Sequence, residues 1–116
     1  MTVDQYRQTQ IATGEPRQRE YQLFAEITRD LIAAREAKTF AERRELISAL
    51  SRNRRLWQVL ALDCSDNNNA LPIETRAGII SLSMWVERLS RAAINENADI
   101  EALVSVNTTI MEGLKT

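Results

Sequence analysis

The sequence has no histidine, one cysteine, three glycines and two prolines in 116 residues. Without histidine there is no imidazole acid–base catalysis, no Ser–His or Cys–His nucleophilic pair and no histidine metal site. The lone Cys64 has no partner for an internal disulfide, a thiolate zinc site or a dithiol redox pair, and a reducing cytoplasm suits it. Three scattered glycines make no phosphate-cradling loop, and the shortage of helix breakers favours long helices. Charge of one sign is lacking as well: 15 basic against 16 acidic residues leave a net −1, too little to hold the chain to nucleic acid or an anionic membrane by bulk field. The longest apolar-rich run, Ala77 to Val86, falls far short of the roughly 20 residues of a membrane span. The opening MTVDQYRQTQ is polar from its fourth residue and shows no signal peptide. Carboxylates are plentiful, but most fall beside basic residues as solvated ion pairs do. A paired-carboxylate hydrolase is the one catalytic reading left, and the chain is expected to be neither an enzyme nor a cofactor carrier.

What is present is helical periodicity. At this length one domain, residues 1–116, can bury a core without metal or disulfide. A short N-terminal helix is expected over Val3–Ile11, with Val3, Tyr6 and Gln10 at turn spacing. The Thr13-Gly14-Glu15-Pro16 cluster ends it, and Pro16 suits the first turn of the next helix. From there to about Ala37, Tyr21, Phe24, Ile27, Leu31 and Ala34 recur at steps of three and four. Thr39 and Glu42 have capping-box spacing and start a helix running from Phe40 to about Leu62, with Leu46, Leu50, Trp57 and Leu60 on one face. Asp63–Ala70 (DCSDNNNA) is rich in residues that bond to their own backbone and tolerate turns. Pro72 then restarts a helix to about Asn95.

That helix carries two apolar lines, Ile73, Ala77, Ile80 and Met84 beside Ile79, Leu82, Val86, Leu89 and Ala93. Trp85 sits between them. So wide a sector predicts neighbours on two sides, and Gly78 in its interior predicts a close helix–helix approach. A turn at Asn95–Asp99, with Asn97 or Asp99 as cap, precedes a last helix. In that helix Ile100, Leu103, Ile110 and Leu114 form a seam interrupted by Asn107, and Gly113 acts as a stop signal. The architecture expected is all-α, an antiparallel bundle of four main helices plus the short N-terminal one.

Several residues carry two readings. Cys64 is either a redox sensor or, more simply, a small residue at a helix end with no second thiol to resolve an oxidised state. Arg43, Arg44, Arg52, Arg54 and Arg55 either contact RNA phosphates or form a solvated face. No aromatic is interleaved among them as a stacking platform requires, which favours the solvated face. Trp57 and Trp85 are packing residues or interface anchors. Asn107 bonds a carbonyl or water, or else a partner helix. The wide apolar sectors of the last two helices are covered by the N-terminal segment or left open as a groove for a guest helix.

Asn53, Leu56-Trp57, Leu60, Asp63, Asn69, Leu71-Pro72, Arg76-Ala77, Ile80-Ser81-Leu82 and Trp85-Val86 form a spaced set. With Tyr6, the Arg19-Glu20…Leu23…Thr28…Leu31 helix and the closing VNTTIMEGL, it resembles the FlaF family of flagellar biosynthesis regulators. These are small cytoplasmic proteins of alphaproteobacteria. Thr75 and the Cys64–Asn68 loop depart from the family's usual pattern. The resemblance implies a cytoplasmic protein that binds flagellin and promotes its synthesis and secretion, acting with the opposing regulator FlbT. On that basis the expected mechanism is an export chaperone offering an apolar groove to an amphipathic flagellin segment, with no membrane insertion and no small-molecule substrate. The runner-up is an RNA-associated regulator of flagellin messenger translation using the Arg43–Arg55 face. The candidate partner-binding residues are Arg76, Trp85 and Asn107 for the groove, with Trp57 and Asp63 shaping the loop.

Overall fold

The computed structural model describes residues 15–96 and 100–114, which form four α-helices and, among the described residues, no strand. The first, α1 (Glu15–Ala34), turns Phe24, Ile27, Thr28 and Leu31 inward at helical spacing. It stops three residues before the expected Ala37, whose N–H instead closes a turn on the Ala34 carbonyl (3.1 Å). The second, α2 (Phe40–Cys64), starts at the capping box. Thr39 Oγ1 accepts from the Glu42 N–H (3.1 Å), and Glu42 Oε1 accepts from the Thr39 N–H (3.0 Å). The bond from the Thr39 backbone holds the Glu42 carboxyl below the usual carboxylate range. At its other end α2 runs two residues past Leu62, to Cys64, and Ser65 caps it by donating its N–H to the Ala61 carbonyl (3.0 Å).

The last two helices are α3 (Ile73–Glu96) and α4 (Glu101–Leu114). Because α4 continues through Gly113 to Leu114, that glycine sits within the final turn and does not stop it. The expected Val3–Ile11 helix and the Asn97 or Asp99 cap lie outside the described residues.

Cross-helix contacts fix the directions. Phe24 meets Trp57 and Asp30 meets Arg52, so α1 and α2 run antiparallel. Arg43 reaches the Ile94 carbonyl while Arg76 reaches that of Cys64, so α2 and α3 do too. Thr28 meets Asn107 and Arg35 meets Glu101, reversing α4 against α1. The helix pairs α2–α3, α1–α2 and α1–α4 pack extensively, whereas α3 and α4 touch little. The core is built from Phe24, Leu31, Leu50, Trp57, Val86 and Leu103, all but closed to solvent.

Two expectations about α3 are corrected. Its Ile79–Ala93 line packs inward, but Ile73, Ala77 and Met84 are exposed, so no neighbour among the described residues covers the second line. Gly78 marks no close approach, since a Cβ added there meets nothing within 4 Å. The reason is shared: α4 packs on α1 and leaves that side of α3 open.

Candidate partner-binding site

Asn107 projects from α4 into the bundle and is wholly buried. Its Nδ2 donates to Asn53 Oδ1 (2.7 Å) and Thr28 Oγ1 (3.0 Å), and its Oδ1 accepts from Trp57 Nε1 (2.9 Å). One amide thus joins α1, α2 and α4. Trp57 is 1% exposed and meets Phe24 edge to face, with ring centroids 5.8 Å apart and an 81° interplanar angle. Both Trp57 and Asn107 therefore lie in the core, where the amide can bond only when α4 sits at the right depth. Sequence reasoning missed Asn53 and Thr28 as members of this network. The signal was present: Asn53 falls between Leu50 and Trp57 at the steps of three and four that define the buried face of α2.

Asp63 and Arg76 belong to the α2–α3 connection. Asp63 is buried, and its carbonyl accepts from Asn69 Nδ2 (2.9 Å). Asn69, also buried, accepts the Leu71 N–H on its Oδ1 (2.9 Å), which fixes the residue before Pro72. Arg76 Nε donates to the Cys64 carbonyl (2.9 Å), tying the first turn of α3 to the last carbonyls of α2. The loop is a built corner, and Asn69 is its main brace. Trp85 is half-buried and packs at the edge of the core.

The corner aligns α2 and α3, and an ion-pair cluster holds them. Arg54 of α2 grips Glu87 of α3 through both carboxylate oxygens, and Arg91 adds a third contact at 3.0 Å. The Arg54 bonds hold the Glu87 carboxyl below its ordinary range, and Glu87 in turn raises Arg54. Outside this pair of helices lies a shallow groove of about 510 Å3, with Ala61 and Leu62 on one wall and Met84 and Arg88 on the other. Leu62 is 68% exposed and Met84 58%; Val59 and, at the start of α3, Ile73 are exposed too.

A family model described as Flagellar protein FlaF matches residues 2–114. The chain belongs to this family. No curated protein and no solved structure matches it. The spaced set that carries the FlaF resemblance now has a physical division of labour. Asn53 and Trp57 serve the buried network; Asp63, Asn69 and Arg76 serve the corner; Ile80 borders the open line of α3, and Val86 fills the core.

The arginines of α2 divide in the same way. Arg43 donates to the Ile94 carbonyl (2.8 Å), Arg52 pairs with Asp30 (2.9 Å) and Arg54 with Glu87. Only Arg44 and Arg55 of the five are exposed without an ion pair among the described residues. Most of this apparent basic face thus serves helix packing. Among the described residues no three His, Cys, Asp or Glu converge as metal ligands, and no helix is long and apolar enough to cross a membrane.

Proposed function

We propose that this FlaF-family protein is a cytoplasmic factor of flagellar biogenesis that binds flagellin and promotes its synthesis and secretion as an export chaperone. The open apolar face of α3 and α2 would receive an amphipathic flagellin segment, with Trp85, half-buried against the core, as a candidate contact. The observation that carries this reading is the exposure of Leu62 and Met84 on the two walls of one groove, with Val59 and Ile73 also exposed on the same two helices. Covering each such side chain contributes on the order of 1 kcal/mol before the cost of ordering the guest. A guest held there has its own apolar stripe occupied and is kept from assembling with further flagellin. The reading is of a binding protein, not an enzyme. It needs no cofactor, no small-molecule substrate and no membrane insertion, and FlbT is a further partner of the same system.

Co-purification with flagellin and with FlbT, repeated at low and high salt, tests it. Flagellin retained at high salt is expected, because apolar burial is little screened. Messenger RNA recovered without flagellin, and lost steeply as salt rises, would overturn the chaperone reading in favour of phosphate binding through Arg44 and Arg55.

A further inference from the structure

The groove on the α2–α3 hairpin has two different ends. Toward the connecting loop its walls carry the exposed Leu62 and Met84, with Val59 beside Leu62 on the same face of α2. Moving away from the loop, α3 steps one turn from Met84 to Arg88, which lines the groove. Over the same stretch α2 steps from Leu62 past Gln58 to Arg55, which lies one turn beyond the lined stretch on the Leu62 side of that helix. Because the helices are antiparallel, both steps run the same way. Arg55 and Arg88 are exposed and have no ion pair among the described residues, whereas Arg35, Arg52, Arg54 and Arg91 each have one. Among the described residues Glu87 is the one carboxylate lining the groove, and Arg54 and Arg91 already hold it. One end is therefore apolar and the other cationic, with guanidinium groups left over.

We infer that the groove takes an amphipathic helix from a partner protein whose apolar stripe is flanked at one end by Asp or Glu residues one to two turns, or roughly 6–10 Å, along its axis. This rests on the reading that a partner segment docks on this face, and it specifies that segment's chemistry and direction. Apolar side chains on Leu62 and Met84 supply affinity. Carboxylates on Arg55 and Arg88 fix polarity, because a guest lying the other way sets its acids over apolar surface and leaves both arginines unanswered.

The test uses three labelled synthetic helical peptides with one apolar stripe and Glu, Gln or Lys in the terminal turns. Each is titrated by fluorescence anisotropy against the full chain. The Glu peptide is expected to bind roughly fivefold tighter than the Gln peptide at low salt, with Lys weakest and the spread closing at high salt. The double variant Arg55→Glu with Arg88→Glu should reverse the order in favour of Lys with an unchanged circular dichroism spectrum. Equal binding of the Glu and Gln peptides, a Glu preference that survives in the double variant, or occupation of the groove by a second copy that no peptide displaces would each overturn the inference. Flagellin is titrated in parallel. Flagellin binding without a Glu preference sinks this inference alone, and a Glu preference without flagellin binding sinks the flagellin reading alone.

Discussion

Asn107 concentrates more of the structure in one side chain than any other residue. Truncation in Asn107→Ala strands the Trp57 N–H and the Asn53 carbonyl oxygen in a dry core and opens a cavity. The expected loss is about 2–4 kcal/mol by urea titration, against almost none for the neighbouring exposed Thr108→Ala. Ser90 behaves oppositely. Its hydroxyl is buried and has no hydrogen-bond partner among the described residues, so Ser90→Ala removes an unmet polar group and should raise stability by up to about 1 kcal/mol. Glu87 sets a pH dependence whose sign follows from its lowered pKa. The stabilisation is present above the ordinary carboxylate range and is lost as pH falls through the depressed folded value. Glu87→Gln should therefore lose stability at neutral pH and show a shallower acid limb in thermal melts monitored from neutral pH downward; an identical limb in both proteins would exclude Glu87 as its source. At this scale sequence reading did least well. Periodicity places Asn53 on the face of Leu50 and Trp57 and Ser90 on that of Val86 and Ala93, but it does not say what a polar residue there bonds to, because three-dimensional packing alone brings or withholds the partner.

The helices themselves were largely legible, because their signals are local. The Thr39–Glu42 capping box, the turn-forming loop and the restart at Pro72 all lie within a few residues of the boundaries they set. Thr39→Ala should cost about 1 kcal/mol and fray the start of α2, seen as faster amide exchange in its first turn. The reading failed where it needed to know which helix lies beside which. A wide apolar sector on α3 implies two neighbours only if a second helix is there, and α4 packs on α1 instead. The close approach expected at Gly78 is absent for that same reason. With open space around it, Gly78→Ala should stabilise α3 by about 0.5–1 kcal/mol. A loss of stability in that variant would mean that the glycine is required by something outside the described fold.

For the whole molecule, the candidate site is a by-product of how the bundle closes. Trp57 and Asn107 stand out in the sequence as a large aromatic and a polar break in an apolar seam, Asp63 and Arg76 as members of the family's spaced set, and the structure puts them into the core and the corner. The exposed groove beside them is built from commoner residues, Leu62, Met84 and Arg88, which have no distinctive spacing and become a site only when two helices align. The buried amide also sets an order of events. Thr28, Asn53 and Trp57 meet Asn107 across 79, 54 and 50 residues of chain, whereas the α2–α3 corner closes over a dozen. Local loops close first, so the hairpin should gain amide protection early in refolding and α4 late. On a ribosome, the tryptophan and its neighbours have only water to bond until the segment around Asn107 has left the exit tunnel. The molecule's interior is thus completed only when the last of the four described helices has been made.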